Sequence, residues 1–235
     1  MFAVIFEVKP KMERKEDYLA LAKILKPELE KIDGFIDNER FRSMRTEGRI
    51  LSLSTWRDEK AVVRWRTLGV HHEIQKKGRN KIFEDYHLRV GEITTDTHIP
   101  ESQKLQEQRF DETVVGPAKA ASITELADQD KKPASADLLA DLNAPIIGTS
   151  GVLNQDVFES ITNPGKLLLL VSWKDAAAAR VWQPTIPAGR QLRHRQVRII
   201  RDYGMLDRRE APQFYPPVER GVCPYVSGSS MQKSL

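Results

Sequence analysis

The sequence has little of what several common protein classes require. Its 235 residues include one cysteine, Cys223, which excludes an internal disulfide framework and a zinc site built from several cysteines. No apolar run approaches the roughly 20 residues that a membrane-spanning helix needs. The apolar N-terminus passes directly into a charged segment, without the layout of a signal peptide. These absences predict a cytoplasmic protein with no membrane association.

The charge pattern argues against a nucleic-acid-binding protein. The net charge is +4, but 33 acidic residues are interspersed among 37 basic ones, and no basic run is interleaved with aromatics. The arginine-rich stretch from Arg190 to Arg201 is more typical of a solvated helix or strand face than of a phosphate track. A glycine-rich phosphate loop, a nucleophile elbow and a paired-carboxylate arrangement are also missing, so a flavin or nicotinamide domain is not expected.

What the sequence does contain is an internal repeat. Matching positions, 117 residues apart, are Gly34 and Gly151, Trp56 and Trp173, and Trp65 and Trp182. All four tryptophans of the chain therefore fall in register, which indicates that one supersecondary unit is present twice. We expect two domains, 1–98 and 118–208, joined by a linker, 99–117, and followed by a proline-containing tail, 209–235.

Hydrophobic periodicity in the first copy predicts the order β-α-β-β-α-β, which is a ferredoxin-like unit. The predicted strands are 2–8, 35–44, 49–56 and 86–93, and the predicted helices are 12–32 and a region that ends near residue 83. Pro27 should kink the first helix or end it early. Asp58 and Asp175 each follow a strand-ending tryptophan and are predicted helix N-caps.

The second copy is more eroded than the first. Its first strand is expected near 121–126 and its first helix near 134–143, and Pro184 and Pro187 interrupt the region after Trp182. Proline removes an amide donor and disfavours helix at the preceding residue. The first copy keeps an unbroken helical pattern, so we expect the functional pocket there.

Four segments of the first copy carry a resemblance to a known family. They are Trp56-Arg-Asp58, Trp65, His71-His-Glu-Ile-Gln75-Lys-Lys-Gly78-Arg79, and Phe83-Glu-Asp-Tyr86. This pattern resembles the antibiotic biosynthesis monooxygenase (ABM) family of the dimeric α+β barrel superfamily. The resemblance implies an α+β fold in which two tandem ferredoxin-like β-α-β-β-α-β units form an intramolecular, pseudo-dimeric barrel. It also allows the two-domain chain to form a homodimer.

His71 and Gln75 are the candidate catalytic residues. At 100° per residue, His71 lies at the centre of a helical stripe with Ile74, Gln75 and Gly78, whereas His72 points to the flank. His71 is therefore predicted to face the sheet, where it can act as a general acid or base or hold a substrate oxygen. A buried structural histidine is the alternative.

Trp65, Tyr86, Phe6 and Trp182 are the predicted substrate-binding residues, as walls of an aromatic pocket. For the tryptophans, packing between helix and sheet is the alternative. The resemblance also matches Trp65 to a tryptophan that presses on the porphyrin in haem-degrading relatives.

The rest of the haem-degrading pattern is not reproduced. Val4 stands where those relatives have Asn, and Gln75 where they have their proximal His. Haem is therefore the alternative to a site without cofactor or metal, with His71 or His194 as the axial ligand. His194 is flanked by arginines that could bind propionates, although an exposed position in a basic helix is the commoner case.

The resemblance implies an oxidoreductase, a monooxygenase for a small aromatic, quinol or polyketide-like substrate. It would work without flavin or nicotinamide, because an electron-rich substrate can donate electrons to dioxygen itself. The alternatives are a haem-binding or haem-dependent enzyme, a non-oxidative isomerase, lyase or cyclase, and a non-catalytic stress-related binding protein. Fold resemblance alone does not choose among them.

Overall fold

The structure is a computed structural model that describes residues 1–128, 150–185 and 190–212, together with residues 142, 144, 145, 147 and 148. Apart from Leu142, the predicted helix at 134–143 lies outside these described residues, as do Pro187, Cys223 and the tail beyond residue 212. Among the helices that are described, none is long and apolar enough to cross a membrane.

The described residues contain eight strands and four α-helices. The strands are β1 (Phe2–Pro10), β2 (Phe35–Ser43), β3 (Ile50–Trp56), β4 (Phe83–Asp96), β5 (Ala120–Asp128), β6 (Val152–Ser160), β7 (Leu167–Trp173) and β8 (Arg190–Gly204). The helices are α1 (Lys15–Glu30), α2 (Glu59–Thr67), α3 (Gly69–Lys77) and α4 (Ala176–Val181). A 3-10 turn, Met12–Arg14, precedes α1, and a π-helical turn, Gly78–Ile82, connects α3 to β4.

The strands form one closed antiparallel barrel in the order β1-β3-β2-β6-β7-β5-β8-β4. Two seams join strands from the two halves of the chain. At one seam Phe41 lies opposite Ser160, and at the other Val90 lies opposite Arg201. The predicted α+β barrel is confirmed, and a single chain closes it.

Alternation along the strands separates the barrel interior from its outer face. Ala3 and Ile5 of β1 belong to an apolar interior that draws on both halves of the chain. The rest of that cluster is Met1, Phe41, Leu51, Leu53, Ile93, Ala121, Ile123, Phe158, Leu168, Leu170, Val197 and Ile199. Val4 and Phe6 point the other way, toward the helices, because successive side chains of a strand alternate between faces. The outer face of β1 is therefore available to build a site.

Both predicted N-caps are confirmed. Asp58 accepts a hydrogen bond from the Ala61 amide at 2.8 Å, and Asp175 accepts one from the Ala178 amide at 2.7 Å. Each carboxylate satisfies an amide that the first helical turn leaves without a partner. The two caps fix where α2 and α4 begin.

The prediction that Pro27 ends the first helix early is wrong, and the alternative of a kink stays a prediction. Helix α1 continues through Pro27 to Glu30. Proline removes one helical hydrogen bond, but Ala22 and Leu29 of the same helix are buried against the sheet. The packing of this apolar face outweighs the local preference of the proline.

The predicted linker, residues 99–117, contains no helix or strand, yet it is held against the barrel. Glu92 of β4 accepts hydrogen bonds from the amides of Gln108 at 2.6 Å and Arg109 at 3.1 Å. Arg109 also binds Glu59 at the start of α2, at 2.7 Å. The division into domains 1–98 and 118–208 stays a prediction.

Candidate active site

A cavity lies between the outer face of the barrel and helices α1, α2 and α3. Its volume is about 1370 Å³, including the solvent at its mouth. The floor is made by five neighbouring strands, β2, β3, β1, β4 and β8. Leu25 and Leu29 of α1 and Val62 of α2 cover it. Most of the lining thus comes from the first half of the chain, where we expected the functional pocket.

Strand register places the floor side chains in two rows. One row is Asn38, Ser54, Val4, Val90 and Arg201, and the other is Arg40, Ser52, Phe6, Leu88 and Tyr203. The middle of each row, on β1 and β4, is apolar. The ends, on β2 and β3 at one side and β8 at the other, carry hydroxyl, amide and guanidinium groups.

Three of the four predicted substrate-binding residues, Phe6, Trp65 and Tyr86, line this cavity. The Phe6 ring centroid lies 5.8 Å from that of Tyr86 and 5.9 Å from that of Phe83, in tilted and edge-on arrangements. Tyr18 of α1 joins the group, 5.8 Å from Phe83. These contacts are typical of favourable aromatic pairs. They form a firm apolar wall at one side of the floor.

His71 of α3 lines the cavity and stacks on Trp65 of α2. The two ring centroids are 4.1 Å apart and the planes differ by 19°. This contact depends on a break between the helices, because Leu68 is extended, with φ −63° and ψ 127°. The chain turns there, so that His71 Nδ1 comes within 3.0 Å of the Trp65 carbonyl oxygen.

The Trp65 carbonyl determines which nitrogen of His71 carries the proton. A carbonyl oxygen only accepts hydrogen bonds, so Nδ1 must donate and Nε2 is left as the basic nitrogen of the neutral ring. Burial lowers the pKa of His71 to about 4, an effect that the Trp65 hydrogen bond opposes and the nearby His72 reinforces. At neutral pH the ring is therefore an uncharged proton acceptor.

The half-buried His71 and the buried His194 should make the protein less stable in acid. The pKa of His194 is also lowered to about 4, by burial and by the charge of Arg195. As pH falls from 6.5 to about 4, both histidines become protonated in the unfolded chain but stay neutral in the folded protein. The free energy of unfolding should therefore fall through this window, by roughly 2–3 kcal/mol for each histidine. Urea denaturation at a series of pH values measures it.

Asparagine at position 194 provides the matched variant for this prediction. His194→Asn removes one titrating group, so its stability should depend less steeply on pH between 6.5 and 4 than that of the wild type. His98→Asn, at an exposed position, serves as the control and should keep the wild-type slope. Equal slopes for all three proteins would contradict the assignment.

Gln75 follows His71 by about one helical turn and also lines the cavity, as do Ile74 and Gly78. The predicted stripe on α3 therefore does face the sheet. His72 is not among the residues that line the cavity. The structure thus brings His71, Gln75, Trp65, Phe6 and Tyr86 to one place.

Trp182, the fourth predicted substrate-binding residue, lies in the other half of the barrel with His194. The Trp182 ring centroid is 6.2 Å from Trp173 and 5.3 Å from His194, and His194 Nδ1 is 2.9 Å from Thr124 Oγ1. Neither Trp182 nor His194 lines the large cavity. Trp182 instead packs in an apolar cluster around Leu142, Val157 and Leu192.

His194 lies on strand β8 and is 3% exposed, so the expectation of an exposed position in a basic helix was wrong. The reason is that Trp182 and Thr124 contact the His194 ring on its face of the barrel wall. The expectation of a solvated Arg190–Arg201 stretch is also wrong for the arginines whose side chains pack against other groups. Arg195 is 1% exposed and pairs with Glu125, and Arg201 lines the cavity.

Sequence reasoning missed the basic character of the cavity. Its lining includes six basic residues, Lys26, Arg40, Arg66, Arg79, Arg201 and Arg208. Among the described residues that line it there is no Asp or Glu. The sequence pattern could have predicted the position of Arg40. It lies two residues after Asn38 on β2, and residues two apart on a strand share a face.

Within the described part of the chain, no group of three or more His, Cys, Asp or Glu residues is arranged to hold a metal ion. Of the two histidines predicted as haem ligands, His71 reaches the large cavity and His194 does not. Trp182 and Thr124 contact the His194 ring. The haem alternative therefore depends on His71.

Solved structures with a similar fold are aldoxime dehydratases. One, in complex with butyraldoxime, is 10% identical with a TM-score of 0.54, and the match covers 85% of this chain and 79% of that one. Another is 12% identical with a TM-score of 0.52, over 85% of this chain and 81% of that one. At such low identity the likeness shows the fold alone.

Sequence comparison is more specific. The antibiotic biosynthesis monooxygenase family matches residues 1–77, which include β1, α1, β2, β3, α2 and α3. A protein from Pyricularia oryzae named jasmonate monooxygenase ABM is 43% identical over 222 residues, covering 92% of this chain and 99% of that protein. The match therefore extends across both halves of the barrel. This chain belongs to the antibiotic biosynthesis monooxygenase family.

Proposed function

We propose that this chain is a monooxygenase whose active site is the cavity over β2, β3, β1, β4 and β8. The proposal depends mainly on the position and protonation of His71. This residue lines a largely apolar cavity, and its hydrogen bond to the Trp65 carbonyl fixes the tautomer in which Nε2 is the basic nitrogen. Family membership and the relative named as a monooxygenase support an oxygenation reaction. His71 and Gln75 are the proposed catalytic residues, and Trp65, Tyr86 and Phe6 the proposed walls.

One substrate class is a small aromatic, quinol or polyketide-like molecule. Nε2 of His71 would remove a proton from an acidic O–H or C–H bond, and the Gln75 amide would donate a hydrogen bond to the resulting anion. The anion then transfers electrons to dioxygen. Conversion of a CH₂ group to a carbonyl uses both oxygen atoms, one in the product and one in water. The substrate supplies all the electrons, so this reaction needs no bound cofactor.

A second substrate class comes from the relative's name. Jasmonate is a small carboxylate built on a cyclopentanone ring, and the 43% identity makes it the first such compound to test. Insertion of one oxygen atom at a saturated carbon consumes two electrons and two protons besides dioxygen. For this substrate we propose a reduced nicotinamide or flavin, supplied from solution, as the two-electron donor.

Oxygen uptake tests the proposal. Purified protein should consume dioxygen with at least one small aromatic, quinol or polyketide-like substrate, or with jasmonate in the presence of NADPH. Labelled dioxygen, ¹⁸O₂, should place one labelled atom in the product. A product that also forms without oxygen would replace this proposal with a non-oxidative isomerase, lyase or cyclase. If no dioxygen is consumed with any substrate of either class, the proposal is wrong.

Haem is the alternative cofactor. His71 would be its axial ligand, since it is the predicted haem ligand that lines the cavity, and the basic residues there could bind propionates. The absorption spectrum of the purified protein separates the two proposals. A Soret band at stoichiometric intensity that is lost in His71→Ala would establish haem and overturn the reaction proposed without cofactor.

We also propose that residues 1–98 and 118–208 are duplicated ferredoxin-like units. Trp56, at the end of β3, lies opposite Phe2 at the start of β1. Trp173, at the end of β7, lies opposite Ala120 at the start of β5. Superposition of the two units in an experimental structure should bring Trp56 onto Trp173. If the two tryptophans fall in unrelated places, the proposal is wrong. A homodimer and a cytoplasmic location remain proposals, which sedimentation and cell fractionation test.

A further inference from the structure

The guanidinium of Arg40 calls for a ligand of opposite charge. A buried guanidinium is costly unless it is paired and hydrogen-bonded. Arg40 lines the cavity, and among the described residues that line it there is no carboxylate. An anionic group on a ligand would supply an acceptor for Arg40.

Arg40 is the basic residue whose surroundings indicate where such a group binds. It lies on β2 opposite Ser52, and its guanidinium is close enough to the Tyr18 hydroxyl of α1 to oppose the rise that burial causes in the pKa of Tyr18. The Nε atom of Arg40 is buried and has no hydrogen-bond partner. A buried charged donor without an acceptor costs free energy. An oxygen anion in the cavity would remove that cost.

Two serines on β3, Ser52 opposite Arg40 and Ser54 opposite Asn38, carry hydroxyl protons that they can donate. The Ser52 hydroxyl accepts a hydrogen bond from Asn38 Nδ2 at 3.1 Å, and the Ser54 hydroxyl accepts one from Trp56 Nε1 at 2.9 Å. A hydroxyl that accepts a hydrogen bond can still donate its own proton. This side of the floor, on β2 and β3, is therefore rich in donors for an oxygen-bearing group.

The remainder of the floor suits an apolar body. Val4 and Phe6 on β1 and Leu88 and Val90 on β4 lie beside the polar residues of β2 and β3 in the same rows. Neighbouring strands are about 4.8 Å apart, and β1 is two strands away from β2. The apolar side chains of β1 and β4 therefore begin within about 10 Å of the β2 backbone. The matching ligand has an anionic end and an apolar body of a few rings or a short chain.

We propose that Arg40, supported by Tyr18, Ser52 and Ser54, binds the carboxylate of an otherwise apolar substrate and so sets its orientation over β1 and β4. This inference rests on the proposed function in using the same cavity, and it adds the substrate class and the residue that selects it. Arg40 thereby acts as a binding and specificity residue, with His71 as the base. Replacing the carboxylate by an ester removes the charge that Arg40 recognises.

Binding calorimetry with octanoate and methyl octanoate tests this assignment without requiring turnover. The wild type should prefer octanoate. Arg40→Met should weaken octanoate binding by about 10- to 100-fold, which is the range for a lost hydrogen bond to a charged group. It should leave methyl octanoate binding nearly unchanged, and Arg40→Lys should recover part of the preference. Equal binding of acid and ester by the wild type would overturn the inference, as would failure to bind either.

Arg42→Met is the matched control, two residues along the same strand. Arg42 is exposed, pairs with Glu159 at 2.6 Å and does not line the cavity. Its variant should bind octanoate like the wild type. Thermal melting checks that both variants are folded. If Arg40→Met weakens acid and ester equally, Arg40 shapes the cavity rather than recognising charge, and the inference is wrong.

Steady-state kinetics with jasmonate and its methyl ester separates this inference from the proposed function. Oxygen-dependent turnover of both compounds with equal KM would keep the monooxygenase and reject the carboxylate site. Preferential binding of octanoate that Arg40→Met abolishes, together with no dioxygen uptake for any substrate, would keep the carboxylate site and reject the monooxygenase.

Discussion

Replacing His71 by alanine should lower kcat by roughly a hundredfold or more, which is the usual scale for the loss of a general acid or base. The variant loses the Nε2 acceptor and the stacked partner of Trp65, whose ring lies 4.1 Å away. Substrate binding should change less, because Phe6, Tyr86 and the basic residues remain in place. Oxygen uptake under saturating substrate measures the effect.

Two other histidines provide controls for this experiment. His98→Ala, at an exposed position outside the cavity, should keep wild-type activity. His194→Ala should also leave activity nearly unchanged, although it removes a buried side chain from the other half of the barrel. Activity that survives in His71→Ala and is lost in His194→Ala would move the active site to the C-terminal half.

The pH profile gives an independent check on His71. Because its pKa is lowered from 6.5 to about 4, the ring should remain a neutral base across the mildly acidic range. The acid limb of kcat/KM, which reports groups of the free enzyme, should therefore lie near pH 4. An acid limb at the ordinary histidine value of 6.5 would mean that His71 is more exposed to solvent than the structure indicates.

Replacing Arg89 by methionine should destabilise the barrel by about 3–5 kcal/mol, because it leaves the buried carboxylate of Glu7 without its closest cation. The Arg89 side chain is 2% exposed and binds both Glu7 and the Ser172 hydroxyl, the latter at 2.7 Å. Arg49 is the next cation, at 3.7 Å from Glu7. Urea denaturation at neutral pH measures the loss.

The double variant Glu7→Gln/Arg89→Met separates the charge effect from the loss of packing. Removing both charges should recover part of the stability, since an uncompensated buried charge is the main cost. Arg42→Met, which breaks an exposed ion pair with Glu159, should change the free energy of unfolding by less than about 1 kcal/mol. A double variant no more stable than Arg89→Met would show that packing rather than charge dominates.

Several local features could be read from the sequence because they depend on near neighbours. The alternation of residues 2–8 predicted β1, and the aspartates after Trp56 and Trp173 predicted the two helix caps. The spacing of His71 and Gln75 on one helix predicted a common face, and both do line the cavity. Pro27 shows the limit of this approach, because burial of α1 overrode its local preference.

The sequence by itself determined the class of strands and helices, the family and the catalytic candidates of the first half, because periodicity and short motifs act over a few residues. Only the tertiary structure decided that β8 forms the far side of the floor, since barrel closure brings Arg201 next to Val90. It also decided that Tyr18, Arg40 and Ser52 meet, and that Trp65 stacks on His71 after the turn at Leu68. Contacts of this kind depend on strand register and on the packing of separate elements, which no local pattern in a single chain encodes.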